Sequence, residues 1–396
     1  MAVRPLPDAA TQFRPVVSAV TPGLLTSRRS RHLPALDGIR GVAVLAVLLY
    51  HYAGGNRSHL APVRLGAHML KAGWAGVTLF FALSGFLITG ILWDSFGKPH
   101  WARNFYARRS LRILPLYFLS LLLVVAGAAF AGSLHPALRR IWIPALFLQN
   151  MPHLADLASS IPSPLTIFHF WSLAVEEQFY LIWPFLLILQ RSRRGALLLC
   201  LGVFLLSACF RTLVWTTFAH PANFWQFLPS RAGELSLGSA LAILYRSSRW
   251  NAIQRWAPAA AALSLAGFVL SSISAGTADL LNPLQNILGL PCMTLFCVAA
   301  IALALRPGVI QRLLSAAWLR WIGSLSYGIY VFHILLGAPF HALAVALCGS
   351  RGETAVLAVQ FIIVLAGSIA AAWLSFHFFE TPFLRLKRRY PSAPAT

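Results

Sequence analysis

The chain has 396 residues, of which 58% are hydrophobic and 11% charged, with a mean hydropathy of +0.70. That is too apolar for a soluble domain of this length. Its 29 Arg and 3 Lys against 10 acids give a net charge of +22; in a soluble protein this would suggest nucleic acid, but here the basic residues fall in short loops between apolar runs, where they report membrane topology.

Residues 1–34 are polar, rich in Pro and Arg, and lack an apolar h-region. They read as a disordered basic cytoplasmic tail and not as a cleavable signal. Beyond them the pattern predicts one transmembrane domain over 35–385, then a short basic cytoplasmic tail at 386–396. Apolar runs recur at 36–54, 74–93, 111–131, 170–190, 195–217, 231–245, 257–274, 285–305, 319–340 and 355–378. This predicts about ten spans. The run at 141–149, bounded by Arg139, Arg140 and Pro152, is too short to cross and reads as a re-entrant or interfacial helix. The expected fold class is an all-α polytopic transmembrane helical bundle with no internal repeat and no separate soluble domain.

Orientation follows from the basic loops. With the N-terminus inside, 94–110, 191–194, 246–256, 306–318 and the C-terminal segment are cytoplasmic and carry most of the arginines. Loops 218–230 and 275–284 fall outside without Lys or Arg, and 341–354 carries only Arg351. Arg57, Arg64, Lys71, Arg139 and Arg140 run against the pattern. The five cysteines show no metal spacing and read as reduced and inert.

Charged and titratable residues inside spans are expensive and mark function. Arg40 and His51 lie eleven apart in the first run, about 16.5 Å and three helical turns, so they share a face. That suits an anion site at one end and proton chemistry at the other. The third span opens on Arg108, Arg109 and Arg112, with Arg109 and Arg112 on one face. Topology alone explains arginines there, but guanidinium forks at a helix start also make a phosphate site. Glu176 and Glu177 sit together within a span and diverge by about 100°, so at least one should meet a cation inside the bundle or serve in an ion pair between helices. Glu234 with Arg231 at i,i+3 reads as an intrahelical pair. Tyr327, Tyr330 and His333 form a polar stripe that suits either a binding surface or a satisfied core.

Together these blocks resemble membrane acyltransferase family three, the bacterial integral-membrane O-acyltransferases that decorate surface glycans. The matching stretches run from Leu36-Asp37-Gly38-Ile39-Arg40-Gly41 through His51, then Gly76–Ile88, Arg108–Pro115, Trp171–Pro184, Gly233-Glu234 with Gly238, Gly323–His333 and Glu380-Thr381-Pro382. The resemblance covers about 36 to 385. It implies that the arginine–histidine pair, Arg40 and His51, and the paired Arg109 and Arg112 are the functional signature. The larger members carry an appended SGNH-type esterase domain, which would hint at the acceptor; with the sequence stopping soon after Glu380, none is expected here.

The implied enzyme moves an acyl group, expected to be acetyl, from acyl-CoA to a hydroxyl of a glycan or lipid-linked sugar. The expected catalytic residues are His51 as general base, or as covalent carrier, with Glu176 or Glu177 orienting or charge-balancing it. Arg40, Arg109, Arg112, Trp171, Tyr330 and His333 are the expected substrate-binding residues. No metal and no cofactor beyond acyl-CoA is expected, because a thioester is already activated. The expected location is the bacterial cytoplasmic membrane, with lipid as the surrounding partner and no nucleic acid. The alternative is a proton-coupled transporter or exporter, which the same intramembrane charges would suit, although inverted repeats are not evident.

Overall fold

The computed structural model describes residues 33–53, 71–218, 220–349 and 352–391. The expected N-terminal tail therefore lies almost wholly outside the described residues, as do Arg57, Arg64, Arg351 and residues 392–396. Every regular element described is helical. Helix α1 spans Pro34–Ala53, α2 Ala75–Ser95 and α3 Trp101–Phe130. Three short helices follow: α4 Leu134–Leu138, α5 Trp142–Ala145 and α6 Ala155–Ser159. Then come α7 Trp171–Ile188, α8 Arg193–Thr217, α9 Leu228–Tyr245, α10 Trp250–Ala275 and α11 Leu290–Ala304. The chain continues through α12 Val309–Leu314, α13 Ala317–Leu335, α14 Gly337–Cys348, α15 Glu353–Leu374 and α16 Thr381–Leu386.

The fold is an all-α polytopic membrane bundle. Among the described residues, seven helices are long and apolar enough to cross a membrane, and eight if α13 and α14, bent by 66°, count as one broken span. That falls short of about ten. The two runs not counted, α7 and α9, have 18 residues each, roughly 27 Å of helix against a ~30 Å hydrocarbon core. Glu176, Glu177 and Gln178 dilute one, and Arg231, Glu234 and three serines dilute the other. These helices turn their polar residues inward, so they read as short, polar members of the bundle.

The 141–149 segment is not one helix. α5 is a single turn, ended where Phe147 takes φ of 56°, a left-handed conformation that costs about 1–2 kcal/mol without glycine. Tyr117 of α3 clamps this loop, donating to the Pro144 carbonyl at 2.6 Å and stacking on Phe147 at 4.3 Å. Gln178 of α7 completes the clamp by exchanging hydrogen bonds with Asn150 at 2.8 and 2.9 Å. Residues 341–348, expected as loop, belong to α14. Cys200, Cys297 and Cys348 are buried and free as expected, whereas Cys209 is exposed.

Two helix crossings set the site. A Cβ on Gly323 of α13 would lie 1.8 Å from the Asp37 carbonyl of α1. Gly85 of α2 and Gly238 of α9 meet each other's helix equally closely, at 1.9 Å from Leu235 O and Ala82 O. Small residues thus bring backbones together where lipid supplies no hydrophobic drive between helices.

One end of the bundle gathers arginines. Arg246 grips Asp94 with two bonds at 2.8 and 2.7 Å, Arg193 donates to Arg246 O, and Arg108 donates to the carbonyls of Lys387 and Tyr390. Loops 94–110, 191–194 and 246–256 and the C-terminal segment therefore share that end. At the other end, Trp74 donates to Ala278 O at 2.7 Å.

Candidate active site

Arg40 and His51 project from one face of α1 into two adjoining cavities. The first, of about 790 Å³, is lined by Arg40, Arg109 and Arg112 together with Ser84, Glu176, Tyr180, Tyr327 and Tyr330. Arg40 is tied to Asp37 at 2.8 Å, one turn earlier on the same helix. Arg109 and Arg112, one turn apart on α3, bring their side chains together from the opposite wall. Arg109 lies over the Tyr180 ring at 5.2 Å, and the Tyr180 hydroxyl meets Ser84 Oγ. Glu176 faces this Ser84–Tyr180 pair in the field of Arg109 and Arg40. Arg112 also feels Glu380, whose carboxylate accepts from Ser375 Oγ at 3.0 Å within the π-turn Ser375–Glu380. Three guanidinium groups line the one cavity, with Asp37, Glu176, Glu177 and Glu380 as the acids near them, and their forks suit an anion.

The second cavity, of about 870 Å³, belongs to His51. Trp74, Trp171, Trp225, Tyr50 and Phe168 supply most of its wall, with His169, Arg231 and Asp279 as the polar groups. His51 Nδ1 is 2.9 Å from the Val47 carbonyl. A carbonyl only accepts, so Nδ1 is assigned the proton and Nε2 keeps a lone pair. His333 stands behind it, fully buried, with Nε2 3.4 Å from His51 Nδ1 and its own Nδ1 2.6 Å from Tyr330 O. His169 packs on His333 with ring centroids 5.0 Å apart and turns Nε2 to Val331 O at 3.2 Å.

Val77 and Tyr330 line both cavities. The Tyr330 hydroxyl donates to His169 O at 2.5 Å and lies 2.5 Å from Ser172 Oγ. The dividing wall is thus a phenol pinned at its tip. Among the described residues, no three His, Cys, Asp or Glu side chains converge as a metal site.

An acyltransferase-domain family profile matches residues 33–377. The chain belongs to that family. Similar curated proteins include the peptidoglycan O-acetyltransferase OatA of Listeria monocytogenes, 31% identical over 386 residues, which take in 90% of this chain and 57% of that protein. The putative peptidoglycan O-acetyltransferase YrhL of Bacillus subtilis is 28% identical over 90% of this chain and 55% of its own length. A putative O-acetyltransferase of Staphylococcus aureus is 27% identical, covering 92% and 59%. The chain therefore spans a little over half the length of these relatives. No solved structure matches. Membership in an acyltransferase family leaves the transporter alternative without support.

Of the residues singled out in the sequence, the first cavity brings together Arg40, Arg109, Arg112, Glu176 and Tyr330. The second cavity takes His51, Trp171 and, from its other face, Tyr330. His333 backs His51 and lines neither cavity. Glu176 and Glu177 are not brought to the imidazole: the ring's partners are Val47 O and His333, while the carboxylates lie among the arginines. The reason is position along the axis, since Glu176 sits more than a turn deeper along α7 than Trp171. Arg231 and Glu234 pair at 2.9 Å as their spacing predicts, yet Arg231 also lines the His51 cavity, which spacing alone did not reveal. The Asp37–Arg40 pair was missed too, although its i,i+3 spacing was the available signal.

Proposed function

We propose that this protein is an integral-membrane O-acyltransferase that moves an acetyl group from acyl-CoA to a glycan hydroxyl, working from two chambers that share a wall. The single observation carrying this reading is that His51, with Nδ1 2.9 Å from the Val47 carbonyl, lines an aromatic cavity that adjoins a three-arginine cavity. The phosphates of the donor suit Arg109, Arg112 and Arg40, which bind anions as forks. The pantetheine arm then runs along α1 toward the Val77–Tyr330 wall. Flat aromatic walls with a few polar groups suit a sugar ring that is apolar on its faces and polar at its edges.

In the chemical step, His51 Nε2 takes the proton of the acceptor hydroxyl as its oxygen attacks the thioester carbonyl. The tetrahedral adduct collapses, the C–S bond breaks, and the imidazolium returns its proton to the departing thiolate. His333 and Val47 O hold the ring in the tautomer this requires. The peptidoglycan O-acetyltransferases among the relatives support a glycan acceptor. We place the enzyme in the bacterial cytoplasmic membrane with the arginine-rich end and both termini cytoplasmic, where acyl-CoA is made, and with the aromatic chamber toward the outer face.

The test is transfer of radiolabelled acetyl from acetyl-CoA to a chitooligosaccharide in membranes containing the full chain. His51→Ala should lower the rate by 10²–10⁴ while the protein remains inserted and monodisperse in detergent. Near-normal transfer by that variant would end the assignment.

A further inference from the structure

We infer that Arg231 supplies the oxyanion-stabilising donor of the acyl transfer proposed above, an inference that rests on that reading. Its side chain is 1% exposed and lines the same cavity as His51. The guanidinium has three working edges, and only Nη2 has a hydrogen-bond partner. Nε pairs with Glu234 at 2.9 Å, without hydrogen-bond alignment, and Nη2 reaches Thr78 Oγ1 at 3.4 Å. Nη1 is buried and has no hydrogen-bond partner.

A desolvated cationic N–H with nothing to donate to is costly, by roughly 1–3 kcal/mol or more for a charged group. An ion pair built only to join turns of α9 would not need it. The rings of Phe81 and Trp171 hold the guanidinium plane, at 5.4 and 5.5 Å. Phe81 faces the arginine cavity and Trp171 the aromatic one, so the charge stands beside the dividing wall where an acyl group would pass. When the acceptor oxygen attacks, the carbonyl π electrons move onto oxygen, and Nη1–H donates to that anion. Collapse returns the electrons, expels the thiolate and frees Nη1. Glu234 keeps the guanidinium charged and aimed, and so is a positioning residue.

Arg231→Lys keeps the cation opposite Glu234 but removes the forked Nη1. With acetyl-CoA and chitotetraose as substrates, kcat should fall 10²–10³-fold, with KM for both substrates within about threefold and thermal stability retained. A phosphonate mimic of the tetrahedral adduct should lose affinity by the same factor as kcat/KM. Should Arg231→Lys unfold, Thr78→Val provides the milder case: it loosens Nη2 alone and should lower kcat and mimic affinity together. Wild-type kcat in Arg231→Lys, or a loss confined to acceptor KM or to stability, overturns the inference while leaving the His51 assignment standing. A wild-type protein that transfers no acetyl overturns both.

Discussion

Gly323→Ala is the sharpest probe of how the two chambers are aligned. The new methyl would sit 1.8 Å from the Asp37 carbonyl oxygen, and Cβ contacts below 3.0 Å essentially do not occur. Backbone cannot swing aside as a side chain can, so α1 and α13 must part by about 1.2 Å there. Overpacking of this kind costs about 1–3 kcal/mol. The same shift moves Asp37, which holds Arg40 at 2.8 Å, away from α13, which carries Tyr330 and His333. A misplacement of about 1 Å is enough to lower a rate on the order of 10²-fold. Gly202→Ala is the control, since nothing lies within 4 Å of its Cβ position and alanine favours a helix by about 1 kcal/mol. We expect Gly202→Ala to match or exceed the wild type in thermal stability, measured by fluorescence-detected size exclusion after heating. Gly323→Ala should melt lower and transfer acetyl about a hundredfold more slowly. Equal stability and activity in the two variants would refute the claim that this crossing is backbone to backbone.

Neutralising Arg109 and Arg112 together should raise the acetyl-CoA KM at least several-fold and flatten its dependence on ionic strength, while the acceptor KM holds; Arg109→Lys should recover only part of the loss, because the fork is gone. Unchanged CoA affinity would reduce these arginines to topology markers. In a cysteine-free background, Thr277→Cys should react with a membrane-impermeant maleimide in intact cells and Arg194→Cys should not. The reverse labelling pattern would invert the proposed orientation and put the arginine cavity where acyl-CoA is absent.

The all-α bundle was legible because hydropathy is additive along a chain, and the apolar runs at 74–93 and 195–217 need no tertiary knowledge to be read. The span count was less legible. α7 carries Glu176 inside the bundle beside Arg109 and Arg40 of other helices, partners a sequence does not display, whereas α9 is short and brings its own Arg231–Glu234 pair. The run at 141–149 is not one helix because Phe147 takes a left-handed turn held by Tyr117 and by the Gln178–Asn150 pair, partners distant in sequence. Within the site, the shared face of Arg109 and Arg112 was legible from helical spacing. The separation of Glu176 from His51 was not, because it depends on where α2 and α9 hold α7 along the bundle axis. Arg231 was hidden by a good local explanation: its pair with Glu234 is real, and only its place on the His51 cavity, with Nη1 unpartnered, points to a second use.

The wall made by Val77 and Tyr330 bears on what the membrane must tolerate. A protein that shuttled a whole cofactor or a sugar from side to side would have to open in turn to each face around a cavity the size of its cargo. Here the Tyr330 hydroxyl is fastened to α7 through Ser172 and to the turn before it through His169 O, and the partition is one side chain thick. Under the proposed reaction, the cargo that crosses shrinks to a two-carbon fragment handed over at that partition. The wall then needs to give way to nothing larger than that fragment, and the bundle can keep its helices in place through the reaction.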